Sequence, residues 1–334
     1  MNNSNPNNPW SITNDEIDEE DNKEGRGDDD DDENNKNTTS NNKEFVLDDD
    51  RILYSLPSPG DNNREDWEIN NNRDDMNKYV QTLQDDGVVV IPNVYTKNQI
   101  KKMIKQQKRI HKKVKQMMSN EDVEPVNKPY RHDFDKKRYL LMKHYEIEDE
   151  DDDDEEYEVI EISPGRYDYV YGMNDDERYP IFNSNEYCCP SILSELMDTL
   201  LVADYKSYSG CLPSDGKSND GPWHRDTYIL FDDESIDIKL PPYYYTVLIP
   251  LVPIGVENGA TEFMPGSHKM TCKDSMAIDD SNESNRFQAS IKESDLGSII
   301  VFDGRICHRG LRNLTDQNRT VLYMVWTKKW YNDY

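Results

Sequence analysis

The sequence predicts an α+β protein whose N-terminal helices flank a C-terminal β-sandwich or barrel. Three observations carry this. Apolar residues recur at helical spacing between residues 79 and 117 and again over 191–202. From about residue 205 onward, short β-rich runs follow one another, separated by Gly, Pro, Asn and Asp. Hydrophobic residues make up 34% and charged residues 32% of the chain, with a mean hydropathy of −1.01. That balance is too polar for one continuous core, so much of the polarity belongs to segments outside it.

The 334 residues suit one large domain or two small ones, at about 100–200 residues per domain. Residues 1–75 are rich in Asn, Asp and Glu, and Asp28 to Glu33 is an unbroken acidic run. With so little apolar surface to offset ordering entropy, this stretch is expected to be a disordered acidic tail. Residues 76–334 then form the folded domain, with an acidic insert at about 146–158 that contains nine consecutive carboxylates, Glu148 to Glu156.

Within the domain, Tyr79, Val80 and Leu83 share a helix face, and Asp85-Asp86-Gly87 stops that helix with a C-terminal glycine. Val88 to Pro92 (VVVIP) reads as a short buried strand. Thr96 is a suitable N-cap for the next helix, whose apolar stripe is Ile100, Met103, Ile104, Ile110, Val114 and Met117. Its other face carries Lys101, Lys102, Lys105, Lys108, Arg109, Lys112, Lys113 and Lys115. That charge suits nucleic acid or the acidic insert, but a solvated outer face needs no partner at all. Ser191 to Val202 is a helix, and strands are expected over Tyr205–Cys211, Tyr243–Val252, Ala260–Met264, Ser298–Phe302 and Thr320–Trp326.

Sixty-eight Asp and Glu against 39 Lys and Arg give a net charge of −29, which supplies no general electrostatic reason to bind nucleic acid. No apolar run reaches the roughly 18–20 residues of a membrane span. The first ten residues have neither the basic nor the apolar region of a secretory signal, and the last four carry no peroxisomal or retention address. Cys188, Cys189, Cys211, Cys272 and Cys307 are odd in number and form no CxxC pair, which points to free thiols in an intracellular, reducing compartment, the cytoplasm.

A metal site must draw on six histidines: His111, His132, His144, His224, His268 and His308. In Trp223-His224-Arg225-Asp226 the histidine and aspartate occupy positions i and i+2, so in an extended segment they present an imidazole and a carboxylate to one ion. His308, after the buried run Ser298 to Phe302 and the turn Asp303-Gly304, is the natural third ligand. Two His and one carboxylate leave open positions on an octahedral metal, the arrangement of non-haem Fe(II) oxygenases. Eleven residues later Arg319 begins a strand, and its planar fork matches a carboxylate. It is placed to hold the far carboxylate of a chelating dicarboxylate such as 2-oxoglutarate. Neutral imidazoles are needed for ligation, so metal affinity is expected to fall as pH drops through the imidazole range, nominally about 6.5.

Four ordered stretches resemble the phytanoyl-CoA dioxygenase (PhyH-like) family of Fe(II)/2-oxoglutarate oxygenases. They are Leu83 to Pro92 (LQDDGVVVIP), Pro222 to Thr227 (PWHRDT), Glu257 to His268 (ENGATEFMPGSH), and Phe302 to His308 (FDGRICH) followed by Asn313, Thr315 and Arg319. The resemblance implies a double-stranded β-helix core, jelly-roll and cupin-like. It implies Fe(II) held by His224, Asp226 and His308 as the catalytic centre, with Arg319 on the co-substrate 2-oxoglutarate and dioxygen as second co-substrate. Because halogenating relatives replace the carboxylate with a small residue, Asp226 implies hydroxylation of a small organic substrate, with succinate and CO2 as co-products.

The pattern departs from the family after His308. The family often carries Gly three residues on, where this chain has Leu311, with Gly310 one position early. The small hydroxyl-bearing or Ala residue often found two positions past that His is therefore absent, and with it the basis for a secondary 2-oxoglutarate hydrogen bond there, while Arg166 in Pro164-Gly165-Arg166 is an additional basic contact to consider.

Other residues carry plainer readings. His144-Tyr145-Glu146 is a stray pair beside the acidic run, His268 is a structural residue of its turn, and Tyr243-Tyr244-Tyr245 is strand packing. Two other functions fit the same motifs. One is an oxygenase acting on a protein or nucleic acid, and the other a cupin-like binding module without catalysis, though a binder has no need of both the ligands and Arg319.

Overall fold

Gly87 closes the first helix, α1 (Arg73–Asp85), as its spacing predicts: it sits at φ +82° and its N–H donates to the Leu83 carbonyl. The structure is a computed structural model that describes residues 73–119, 137–143, 155–173, 190–202, 204–276 and 286–332, together with Phe182, Ser184 and Tyr187. The acidic tail lies outside the described residues as far as residue 72, and residues 73–75 belong to α1. His132, His144, Cys188 and Cys189 also lie outside them.

β1 (Val88–Ile91) follows directly and pairs antiparallel with β9 (Ile299–Asp303), Val88 opposite Phe302. α2 (Lys97–Met118) starts at Thr96 with a capping box, in which the threonine hydroxyl and the Gln99 side chain satisfy each other's backbone N–H groups. Its buried stripe is Ile100, Met103, Ile104, Gln107, Ile110 and Val114. This stripe meets β4 (Arg166–Met173), where His111 Nδ1 lies 2.9 Å from the Tyr169 hydroxyl and the Tyr171 hydroxyl donates to Gln107. The basic face is largely turned to solvent, and Lys115 on it pairs with Asp215 at 3.0 Å.

Three strands escape the periodicity reading. β2 (Lys137–Lys143), β3 (Glu155–Ser163) and β4 form a consecutive antiparallel meander. They are polar for strands, since β4 presents Arg166 and Asp168 on one face and Tyr167, Tyr169 and Tyr171 on the other. Of the expected acidic insert, residues 146–154 lie outside the described residues, while 155–158 open β3.

The C-terminal half follows the expected run order. α3 (Ser191–Leu201) packs on α1 and on β11 (Arg319–Lys328). β5 (Tyr205–Ser214), β6 (Tyr244–Pro250), β7 (Thr261–Phe263), β9 and β11 all match predicted runs to within a few residues. Short pieces complete the fold: α4 (Glu234–Asp237), α5 (Cys272–Met276), β8 (Phe287–Ala289) and β10 (His308–Gly310).

The strands form an eight-stranded sheet ordered β1-β9-β6-β11-β5-β4-β3-β2 and a three-stranded sheet ordered β10-β7-β8, antiparallel throughout. An isolated bridge between His224 and His308 adds the 224 segment to the small sheet. The two sheets face each other, with Phe263 of β7 edge-on to Phe302 of β9 at 5.1 Å between ring centroids. The result is α+β with a jelly-roll core, as expected. Among the described residues, no helix is long and apolar enough to cross a membrane.

Candidate metal centre

His224 and His308 face each other as antiparallel neighbours. Each donates its backbone N–H to the other's carbonyl, at 3.0 and 2.9 Å, so sheet pairing itself brings the two imidazoles to 4.3 Å between centroids. Each Nδ1 lies against a carbonyl oxygen two residues back, Pro222 at 3.0 Å and Ile306 at 3.1 Å. A carbonyl can only accept, so Nδ1 carries the proton and Nε2 is left with a free lone pair. Asp226, two residues on from His224, places Oδ1 3.7 Å from His224 Nε2 and 3.6 Å from His308 Nε2. Its other oxygen, Oδ2, accepts a 2.6 Å hydrogen bond from the Thr246 hydroxyl on β6. Among the described residues, these three form the one His/Cys/Asp/Glu group able to hold a metal ion, with donor atoms all within 4.8 Å of one another. The donor set of two neutral imidazoles and one carboxylate suits a divalent first-row metal with sites left open.

The surroundings are asymmetric. His308 is buried against Phe302 at 4.7 Å and Phe263 at 5.7 Å, which makes a dry wall. The His224 side chain is 47% exposed, so the site opens on that side. The segment after Asp226 exposes Tyr228, Ile229, Phe231 and Ile236.

Arg319 is buried at the start of β11, on the strand face that also carries Val321, Tyr323 and Val325. Val325 pairs with Thr246, the residue that touches Asp226. Arg319 Nε finds no hydrogen-bond partner among the described residues. Burial first, and then the like charge of Arg166, pull its pKa down to about 9. A guanidinium in that position lacks an anion.

Arg166 is buried next to it, with Nε donating to the Asn219 carbonyl at 2.7 Å and Nη2 to the Leu311 carbonyl. Gly310 explains the shifted glycine. A Cβ there would stand 2.6 Å from Arg166 Nη1, so the missing side chain leaves room for the Arg166 guanidinium, while Arg319 Nη2 at 3.5 Å would be in ordinary contact. Gly310 is two residues from His308, and same-face positions of a strand lie about 6.6 Å apart.

A profile of the phytanoyl-CoA dioxygenase (PhyH) family matches residues 83–321. The chain belongs to that family. A curated relative, the dioxygenase af480 of Aspergillus fumigatus, is 31% identical over 102 residues, which is 29% of this chain and 31% of the relative's length. The chain thus aligns with about a third of that relative. Solved structures similar to this PhyH-family chain include AviO1 of Streptomyces viridochromogenes, with 15% identity, 77% of this chain and 96% of that chain covered, and a TM-score of 0.48. HygX of Streptomyces hygroscopicus, solved with nickel, 2-oxoglutarate and hygromycin B, has 14% identity, coverage of 77% and 89%, and a TM-score of 0.49.

Two PhyH motif stretches meet away from the centre. His268, in the PGSH turn, is buried against Gly87: a Cβ at Gly87 would stand 2.5 Å from His268 Nδ1. Its Nε2 donates to the Gln84 carbonyl at 3.2 Å, and among the described residues His268 stands outside the His-Asp-His cluster. Burial lowers its pKa below the usual imidazole value. The unfolded chain therefore takes up the proton first, and stability tied to neutral His268 is full above about pH 6.5 and is lost as pH falls below it. The thermal midpoint should drop between about pH 7.5 and about pH 5.5, and His268→Gln should flatten that slope.

Sequence reasoning missed Thr246. It sits in what reads as aromatic strand packing, and its partner Asp226 is 20 residues away.

Proposed function

We propose that this protein is an Fe(II)- and 2-oxoglutarate-dependent dioxygenase that hydroxylates a small organic substrate, releasing succinate and CO2. The observation that carries this reading is the pairing of a two-His, one-carboxylate cluster with a buried guanidinium that lacks an anion. A metal-binding module without chemistry has no use for that arginine.

His224 and His308 would hold iron through Nε2 and Asp226 through Oδ1, while the Thr246 hydroxyl keeps the second carboxylate oxygen occupied. Arg319 would bind the distal carboxylate of 2-oxoglutarate, and Arg166 beside it would add positive charge to the same end. The bound metal and 2-oxoglutarate supply oxygen activation, with dioxygen as oxidant and decarboxylation of the keto acid as driving force. Phe263 and Phe302 keep water from the His308 side. The substrate would approach from the exposed side of His224, past Tyr228, Ile229 and Phe231, which favours a molecule with an apolar body. The free thiols of Cys211, Cys272 and Cys307 fit a reducing compartment such as the cytoplasm.

Anaerobic addition of Fe(II) and then 2-oxoglutarate should produce a weak visible charge-transfer band. Aerobic succinate release should then be stimulated by one class in a panel of lipids, amino acids and peptides. Iron-loaded protein that forms no such band and releases no succinate with any member of the panel would sink the proposal.

A further inference from the structure

The metal cluster leans on a turn to which none of its ligands belongs. Gly304 lies between β9 and β10, and its carbonyl accepts the N–H of Asp226 at 2.8 Å and of Thr227 at 3.2 Å. The backbone that carries the metal carboxylate is therefore placed by one carbonyl oxygen. The Gly304 N–H donates to the Tyr244 carbonyl at 2.9 Å, and a Cβ at Gly304 would stand 2.3 Å from Tyr244 Cδ1. Only glycine lets the turn come this close to β6.

A buried ion pair holds this turn. Arg305 Nε donates to Asp303 Oδ1 at 2.9 Å and Nη2 to Oδ2 at 2.7 Å, while the Arg305 backbone N–H also donates to Oδ1 at 2.9 Å. The two side chains are 7% and 2% exposed. The remaining prong, Nη1, donates to the Leu240 carbonyl at 2.9 Å. Leu240 lies just past α4, at the far end of the segment that begins at Asp226 and past whose exposed apolar side chains the proposed substrate would approach. One guanidinium thus ties the turn that places Asp226 to that segment.

Stability alone is a poor reason for such a pair, because desolvating two charges offsets most of their attraction and an apolar pair of similar shape often does as well. A fork with fixed geometry does something an apolar pair cannot: it sets three backbone positions at once. We propose that Asp303 and Arg305 form a positioning latch that presses the Gly304 carbonyl onto the Asp226 backbone and anchors the Leu240 end of the access segment. The latch rests on the metal-centre reading, deepens it, and assigns both residues a positioning role without contact to metal or substrate.

The test uses the full chain and Co(II) as probe. Arg305→Lys keeps a cation beside Asp303 but cannot reach both carboxylate oxygens and the Leu240 carbonyl together. The double variant Asp303→Asn with Arg305→Gln removes both charges and the fork while keeping both positions polar. Both should bind Co(II) about 10–100-fold more weakly than the parent chain, the loss typical when a partner of a metal ligand is removed. Hydrogen exchange at the Asp226 and Thr227 amides should accelerate even without metal. Folded variants with parental Co(II) affinity and unchanged exchange at those two amides overturn the latch. Should both variants fail to fold, native-state exchange of the parent decides, because the amides of Asp226, Thr227 and Arg305 must then open as one unit, and independent opening overturns it. A parent chain that takes up no Co(II) overturns the metal reading instead, and the exchange comparison still decides the latch.

Discussion

His308→Ala is expected to abolish metal-dependent turnover while leaving the domain folded. His308 supplies one of three donor atoms, and its ring is the buried one, held by the Ile306 carbonyl and walled by Phe302 and Phe263. Removing a mere partner of a metal ligand costs about 10–100-fold, so removing the ligand should cost on the order of 10³-fold or more in succinate release. The charge-transfer band with Fe(II) and 2-oxoglutarate should vanish. The backbone pairing of His308 with His224 does not depend on the ring, so far-ultraviolet circular dichroism should be unchanged. A variant that keeps the band would remove His308 from the ligand set. His268→Gln serves as the control, because that histidine touches Gln84 and Gly87 and lies outside the cluster.

Arg319→Met is expected to lose co-substrate binding and gain stability at the same time. Truncating one partner of a buried charge pair costs about 2–5 kcal/mol, which for 2-oxoglutarate is a rise in KM of roughly 30- to 5,000-fold. Without an anion present, however, Arg319 is a buried cation beside another cation, Arg166. Replacing it by an apolar residue of similar length should therefore raise the melting temperature of the ligand-free chain, on the scale of about 1–4 kcal/mol seen when buried charges are replaced by packed apolar groups. The parent should instead be stabilised by added 2-oxoglutarate, and the variant should not. A variant with lowered stability and unchanged KM would mean that Arg319 serves the fold and not the co-substrate.

Much of the fold is legible in the sequence because several elements are internally consistent. α2 has a cap, an apolar stripe and a charged outer face that agree with one another, and the C-terminal strands are apolar runs bounded by turn residues. The candidate metal ligands are legible because two of them sit in one short motif and the third follows a buried strand. The meander β2–β3–β4 is not, since its strands carry Lys, Glu, Asp and Arg at positions where alternation alone looks like a polar loop. Its burial depends on α2 covering Tyr169 and Tyr171, which is tertiary information. Thr246, Asp303 and Arg305 escape for a related reason. Each is ordinary in its own strand or turn, and their roles come from Asp226 and Leu240, 20 to 65 residues away.

The reciprocal pairing of His224 with His308 ties coordination to strand register. A single-residue deletion between Gly304 and His308 would bring Cys307 or Arg309 opposite His224 and turn the imidazole to the other side of the sheet. Length variation among natural or engineered versions of this chain should therefore avoid the stretch from Gly304 to His308, where one residue more or less removes an imidazole from its partner.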